Sequence, residues 1–547
     1  MPFLQEMASL PPRPWHFALF WLLALGILAG LSLWVRTLFP VDETRYASVA
    51  WEMWQRGDLL VPFKNGEPYS HKPPLLFWLI HAGWALFGVN EWWPRLIAPL
   101  LSFAGLGLTW RLARRLWPDQ PEAAPLATAV LLSSGLWMAY SQALMFDLLI
   151  AACTLLGILA LVETALSGHR RWWGLFALAV GLGILAKGPA ILVHLLPAAL
   201  FAPWWLGGRE LSRRAWYLGL LAALLGGIAI ALAWAIPAGL SGGEAYRNAI
   251  FWGQTANRMV SSFAHQRPFW WYLPLLPLLL APWLLWPKLW RGLYVTFKAS
   301  KDDRGVRLLL LWFLSALLIF SLISGKQVHY LLPEFPAAAL LLGLALARGP
   351  DPERPLTPAL ALCLLGVAIL LAPRVADLPG DHHFIPAGLG LLALGVLLLF
   401  ARGGRNLRVI QVTLISLAAF GWLLLTGVRP LAERYDLHPL AQELARQQAA
   451  GYQIGYPGFY HAQFHFLGRL TQPIEEINAM EAAAWLEQQP KRLLVLAIPD
   501  ELDATPYQPL FIQPYRSRYL LLLDPRAAEA LRRRPMSGGR DEGEPAE

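Results

Sequence analysis

"PPLLFWLIHAGWALFG", residues 73–88, decides how this chain is threaded. The run is apolar but only 16 residues long, with His81 inside it, and a bilayer crossing takes roughly 20 residues. If it crosses, every later connection changes side. If it does not, and the N-terminus is cytoplasmic, six loops share the cytoplasmic side. These are "RLARR" (111–115), "HRR" (169–171), "GGRELSRR" (207–214), Lys288 to Arg307, Arg348 with Arg354, and "ARGGRNLR" (401–408). They hold 19 of the 45 Lys and Arg residues, and the opposite loops hold far fewer for their length. The positive-inside rule therefore places 73–88 in the interface, as an amphipathic or re-entrant helix.

The rest of the chain agrees with this reading. Of its 547 residues, 56% are hydrophobic and 15% charged, where a soluble domain carries about 25% charge. Strict alternation, the barrel pattern, is absent, so the spanning segments are helices. Candidate spans are 15–36, 94–111, 124–140, 147–166, 172–186, 189–206, 215–237, 269–287, 307–324, 330–347, 356–372, 384–400 and 408–427. The first is too long for a signal segment and has no small-residue cleavage site, so it reads as retained. The expected fold is an all-α polytopic membrane protein with thirteen spans, interfacial helices after the first, and a small C-terminal α/β domain. Cys153 and Cys363 lie inside apolar runs and suggest no disulfide framework. The net charge of +9 is spread over loops and reads as topology and lipid contact, not nucleic-acid binding.

With this threading, residues 38–93 and everything after Val428 lie on the outer side, the periplasm of a Gram-negative cell. The membrane domain is 1–428, with 38–93 as its outer loop. In the tail, 437–451 and 478–488 read as helices, and "RLLVLAIPD" (492–500) and "RYLLLLD" (518–524) as strands. That suggests an outer domain over 429–532, followed by a disordered segment, 533–547.

The outer side collects charge of both signs. In "PVDETRYASVAWEMWQRGD" (40–58), a helix is predicted from 43 to 56. Tyr46, Val49, Ala50, Met53 and Trp54 form one apolar stripe, with Thr44, Ser48, Glu52 and Gln55 opposite. Gly57 is its stop. Such a helix lies along a membrane surface, and Asp42 and Glu43 at its start can cap it. Four later segments add cations: "SHKPP" with Lys72, "LAKGPA" with Lys187, "NRMVSSFAHQRP" with Arg258, His265 and Arg267, and "SGKQVHY" with Lys326, His329 and Tyr330. Asp147 stands in "MFDLL". Charge at membrane depth is expensive and usually functional. A lipid-phosphate sugar accounts for the set: Lys, Arg and a Tyr hydroxyl stabilise the leaving phosphate, and a carboxylate takes the proton of the attacking hydroxyl. No nucleotide-binding glycine loop is present, and a lipid donor needs none. With one convincing base and no separate nucleophile, inversion at the sugar is expected.

The chain resembles the GT-C glycosyltransferases of the protein O-mannosyltransferase superfamily, and within them the bacterial branch that contains the lipid A aminoarabinose transferase. The resemblance is carried in order by "DETRYA", "HKPPLLFWL", "FGVNEWWPRL", "FDLLI", "LAKGPA", "RPFWWYLPLLPLLLAPW" and "SGKQVHYLLPEFPAAALLL", over roughly residues 10 to 350. It implies a polyprenyl-phosphate (undecaprenyl phosphate) donor, an inner-membrane enzyme and a site on the periplasmic side. By resemblance Asp42 is the base or acceptor-orienting carboxylate, with Glu43 supporting. Lys72, Arg258, Tyr330 and Lys326 would bind the donor phosphate, and Arg45, Asp147 and Lys187 would shape the substrate site. Two departures bear on sugar and acceptor. His71 stands where the aminoarabinose transferases have Glu before Lys-Pro, and Gln327-Val328 replace Leu-Pro. No cofactor is called for, and a divalent metal shared by His71 and His265 is the one alternative.

The preferred acceptor is a hydroxyl or phosphate of an envelope lipid or glycan of the lipid A kind. Protein O-mannosylation is the second reading. A lipid or solute transporter is the third, but that class needs polar groups at mid-membrane and a pseudo-repeat, and the span centres here are nearly uncharged.

Overall fold

The computed structural model describes residues 14–207, 212–253, 266–351, 353–376 and 381–533. The chain divides into two compact units. One comprises Met1–Val35, Arg95–Ile236 and Thr255–Val428, and the other Arg36–Pro94, Pro237–Gln254 and Arg429–Glu547.

Among the described residues, eight helical segments are long and apolar enough to cross a membrane. They are Trp15–Val35, Trp92–Leu116, Asp147–Ser167, Arg213–Ser241, Arg304–Leu322, Val328–Arg348, Leu356–Pro373 and the stretch beginning at Arg405. Shorter apolar helices include Leu75–Phe87, Ala123–Ser133, Ala190–Leu200 and Phe384–Leu399. The chain is a multi-pass helical membrane protein. Three runs expected to be continuous are interrupted. The 124–140 run breaks at Ser134, whose extended backbone separates Ala123–Ser133 from Gly135–Tyr140. The 189–206 run breaks into Ala190–Leu200 and Ala202–Leu206. The 269–287 run, rich in proline, yields only Tyr272–Leu279 and a 3₁₀ turn at Trp283–Leu285, since each proline removes an amide donor from the ladder.

In the first unit, helices approach through small residues, as expected where lipid gives no hydrophobic drive to association. A Cβ on Gly343 would stand 2.6 Å from the Ala127 Cα, so helices Phe335–Arg348 and Ala123–Ser133 touch backbone to backbone. Asp147–Ser167 and Arg171–Lys187 form an antiparallel hairpin around Gly168, which takes the left-handed conformation. Its helices fix two remote ends. At one, Glu163 accepts from Arg115 at 2.7 Å and Arg111 at 3.4 Å. At the other, Lys187 reaches Asp147. The basic loops are further anchored by Asp303, which accepts from Arg348 at 2.6 Å and from the Trp117 indole at 3.0 Å.

The second unit begins with the Asp42–Arg56 helix. A short antiparallel ribbon follows, β1 (Phe63–Lys64) and β2 (Glu67–Pro68), then the Leu75–Phe87 helix. Gly83 in that helix is needed for close packing: an added Cβ would lie 1.9 Å from the Trp93 indole. The tail adds the His438–Ala449 helix and a five-stranded sheet. The strands are β3 (Gln453–Pro457), β4 (Glu475–Ile477), β5 (Arg492–Pro499), β6 (Phe511–Tyr515) and β7 (Arg518–Leu523), in the order β4-β3-β5-β7-β6. β3 runs parallel to β4 and β5, and β7 antiparallel to β5 and β6. The strands expected at 492–500 and 518–524 are the central pair β5 and β7. Ala482–Glu487 lies within the expected 478–488 helix.

Candidate functional site

The Asp42–Arg56 helix has the predicted apolar stripe, with Tyr46, Val49, Ala50 and Met53 all buried. Fully burying side chains like Val49 and Met53 contributes about 1.5–3 kcal/mol each. Gly57 closes the helix in the left-handed conformation, and the Asp58 amide returns to the Met53 carbonyl at 3.1 Å. The opposite side departs from the expected surface helix. Thr44, Ser48 and Glu52 are also buried, because chain from the tail and the ribbon covers them. The Phe466 amide donates to Ser48 Oγ at 2.9 Å, and the Gly66 amide to Glu52 Oε1 at 2.9 Å.

The two adjacent carboxylates are in different situations. Glu43 is 4% exposed and takes Arg36 Nη1 at 2.5 Å, Arg36 Nη2 at 3.1 Å and the Phe39 amide at 2.7 Å. It ties Arg36 and Phe39 to the start of the Asp42–Arg56 helix. The Asp42 side chain is 49% exposed. Arg45 Nη2 and the Tyr46 hydroxyl, the latter at 3.1 Å, both donate to Oδ1. Among the described residues Oδ2 takes no hydrogen bond. Burial holds the Tyr46 hydroxyl well above its ordinary value, and the Asp42 charge adds to this, so Tyr46 remains a neutral donor. Burial works against the Arg45 charge, but Tyr69, Tyr46 and Asp42 outweigh it and raise Arg45 further. The Lys72 ammonium stands 5.9 Å from the centre of the Tyr46 ring, so Asp42 and Lys72 are served by one aromatic side chain. His71 stacks on Tyr69 with ring centres 5.3 Å apart.

The tail contributes residues that the sequence reading did not single out. Arg45 Nη1 lies 3.4 Å from His461 Nδ1. Arg516 donates to the Pro40 carbonyl at 3.2 Å, and Lys64 to the Tyr460 carbonyl at 3.0 Å. His438 bridges two carboxylates, Asp436 at 2.7 Å and Glu91 at 3.0 Å. Burial opposes its charge, but hydrogen bonds to Asp436 and Glu91 prevail and bring it up to about 9. The signal available in the sequence was the run Phe459, Tyr460, His461, Phe464, His465 and Phe466, an aromatic and histidine cluster in the tail.

In the first unit, Lys187 Nζ meets Asp147 Oδ1 at 2.5 Å, with Asp147 2% exposed. His329 Nε2 lies 4.0 Å from the same oxygen, and His329 Nδ1 pairs with the Tyr140 hydroxyl at 2.9 Å. The Lys187 ammonium sits 5.0 Å from the centre of the Tyr330 ring. Asp147, Lys187 and Tyr330 thus form one cluster. Lys326 is 3% exposed and donates to the Arg267 and Ile323 carbonyls at 2.9 and 2.5 Å. Arg258 and His265 lie outside the described residues. Among the described residues no group of three or more His, Cys, Asp or Glu is placed to hold a metal ion.

Comparison with known proteins follows the same lines. The family model for dolichyl-phosphate-mannose-protein mannosyltransferase matches residues 71–234. An undecaprenyl phosphate-α-4-amino-4-deoxy-L-arabinose arabinosyl transferase of Pseudomonas fluorescens is 34% identical over 332 residues, covering 59% of this chain and 55% of that protein. A Pseudomonas aeruginosa protein of the same description is 34% identical over 336 residues, covering 60% and 59%. The matched region therefore spans less than two thirds of these relatives' own length. The crystal structure of ArnT from Cupriavidus metallidurans in the apo state superposes with a TM-score of 0.72 at 19% identity, covering 94% of this chain and 98% of that one. The structure of the same protein bound to undecaprenyl phosphate gives 0.70. The fold is shared with ArnT, and the resemblance read from the motifs is borne out.

Proposed function

We propose that this chain is an integral membrane glycosyltransferase that moves a sugar from a polyprenyl-phosphate donor to a hydroxyl or phosphate of an envelope lipid or glycan, with inversion. Asp42 is the base. As the acceptor oxygen bonds to the anomeric carbon, its proton passes to Asp42 Oδ2. The bond from that carbon to the phosphate oxygen breaks, and its electron pair leaves with the phosphate. Lys72 receives the developing charge, and the resemblance alone gives Tyr330, Lys326 and Arg258 a donor-phosphate role. Lys187 is held by Asp147 to contact the substrate, and Arg45 orients Asp42. Glu43 supports the base by fixing the helix start.

The observation that carries this reading is the state of Asp42. Its Oδ1 is restrained by two donors, its Oδ2 is open, and a lysine stands across the Tyr46 ring. The relatives' descriptions name an undecaprenyl-phosphate-linked aminoarabinose donor, and the acceptor class follows from that similarity. Thirteen crossings, residues 1–428 as the membrane domain, and 38–93 and 429–532 on the periplasmic side of the inner membrane belong to the same proposal. The mannosyltransferase model over 71–234 favours protein O-mannosylation as the second reading.

The test is mass spectrometry of envelope lipids and glycans from cells with the protein, without it, and with Asp42→Asn. A sugar present only with the unsubstituted protein supports the reading. Unchanged transfer by Asp42→Asn removes Asp42 as the base. Glycosylated protein with unchanged lipids selects the second reading.

A further inference from the structure

The 459–466 segment of the tail reaches the helix that carries Asp42 at two places, the Phe466 amide on Ser48 and His461 beside Arg45. His461 is 7% exposed. Its own segment fixes it: the His461 amide donates to Gln463 Oε1 at 3.2 Å, and Phe459 packs edge-on at 4.8 Å between ring centres. Lys64 clamps the same segment from β1, donating to the Tyr460 carbonyl and lying 4.0 Å from the centre of the Phe459 ring.

The chemistry of the contact fixes the protonation state. A guanidinium has five donors and no acceptor, and it stays charged. The hydrogen bond between Arg45 Nη1 and His461 Nδ1 therefore runs from arginine to histidine. Nδ1 must carry the lone pair, so the ring proton is on Nε2 and the imidazole is neutral. The surroundings favour that state. Burial comes first, then the positive charges of Arg45, Lys64 and Arg516, with Asp42 alone opposing, and together they bring His461 down to about 4.

We propose that His461 is a positioning residue: by accepting from Arg45 it fixes the guanidinium, so that Arg45 holds Asp42 through Oδ1 and leaves Oδ2 to the incoming hydroxyl. The proposal rests on the transferase reading, with Asp42 as its base, and goes beyond it by giving the tail a part in setting the base. Without His461, Arg45 keeps its pairing with Asp42 and its place over the Tyr46 ring but loses its Nη1 acceptor, and Oδ2 is presented less firmly in one direction. A small misplacement of a reacting group costs rate rather than affinity. The residue touches no reacting atom, so its effect belongs in turnover and not in donor binding.

The experiment uses the full-length protein in lipid nanodiscs, with His461→Ala and His461→Asn. Asparagine can place an amide oxygen near the position of Nδ1 and accept from Arg45. His461→Ala is expected to lower turnover by about 30-fold, within the range for misplaced catalytic geometry, with undecaprenyl phosphate binding changed less than twofold. His461→Asn is expected to recover most of that loss. Turnover within twofold of the unsubstituted protein in His461→Ala overturns the proposal, as does a loss in His461→Asn equal to that in His461→Ala. The second arm does not depend on catalysis. In protein labelled with ¹⁵N-histidine, with His461→Asn identifying the signal, His461 should show a bare Nδ1 and a protonated Nε2 from pH 5 to 8. A protonated Nδ1 at pH 7 overturns the proposal. If the unsubstituted protein transfers no sugar, the transferase reading fails while this arm still decides the Arg45 contact.

Discussion

Two aspartates, one in each compact unit, pair with a cation in opposite surroundings. Asp147 is buried, and its Oδ1 is engaged by the Lys187 ammonium at 2.5 Å. Asp42 is half exposed, is gripped by Arg45 and Tyr46 on one oxygen, and has the other open. Each pairs with a cation through Oδ1, so the difference lies in burial: a carboxylate shut away from solvent serves as a counter-charge, whereas a half-exposed one can present its second oxygen to an incoming hydroxyl. The difference assigns the proposed roles: Asp42 does proton chemistry, and Asp147 keeps a lysine in place. It follows that a carboxylate's position in a motif says less about its work than its exposure.

Substituting each aspartate should break that symmetry most sharply. Asp42→Asn should lower turnover by about 10³-fold, near the middle of the range for a lost general base, with the unfolding temperature and undecaprenyl phosphate binding unchanged. Asp147→Asn should instead appear as instability, because it strands the Lys187 charge. Breaking a buried pair costs about 3–5 kcal/mol, read as a lower unfolding temperature in detergent. Adding Lys187→Met should restore part of that loss, since no unpaired charge remains. An Asp147→Asn protein of full stability would contradict the counter-charge role.

A third, smaller effect distinguishes the second unit from the first by pH. His438 bound between Asp436 and Glu91 has its folded value raised to about 9 from an ordinary 6.5. Its contribution to stability is therefore complete below about pH 6.5 and lost as pH rises through about 9. At about 1.4 kcal/mol per unit, the loss is about 3 kcal/mol. His438→Gln should flatten this part of the unfolding profile between pH 6.5 and 9.5. The smallest effect belongs to Tyr46→Phe. It removes one donor to Asp42 Oδ1 and keeps the ring, so turnover should fall only a few-fold and stability by about 1 kcal/mol.

Most of this architecture could be read from hydrophobic periodicity and loop charge. The Asp42–Arg56 helix, its buried stripe and its Gly57 stop were legible because each is a local rule. The hairpin meeting of Asp147 and Lys187 was half legible: the sequence put both at one face but could not say that they touch. The breaks near Ser134 and Leu200 were missed because a serine pair or a single proline is tolerated in many helices, and packing decides the outcome. β3, β4 and β6 are short, and their polar or proline-containing sequences carry little alternation. The covering of Ser48 and Glu52 was beyond reach, because their partners lie in remote chain or in backbone amides, which composition cannot reveal.

The bond from the Phe466 amide to Ser48 joins residues 418 positions apart. At about 5–20 residues per second of synthesis, Ser48 leaves the ribosome tens of seconds before its cover exists. During that interval the buried polar side of its helix meets water, lipid headgroups or a chaperone instead. Cells starved of folding assistance should therefore accumulate chains that are inserted in the bilayer yet cleavable near residue 50, and release from the ribosome, not insertion, is the step after which this cleavage stops.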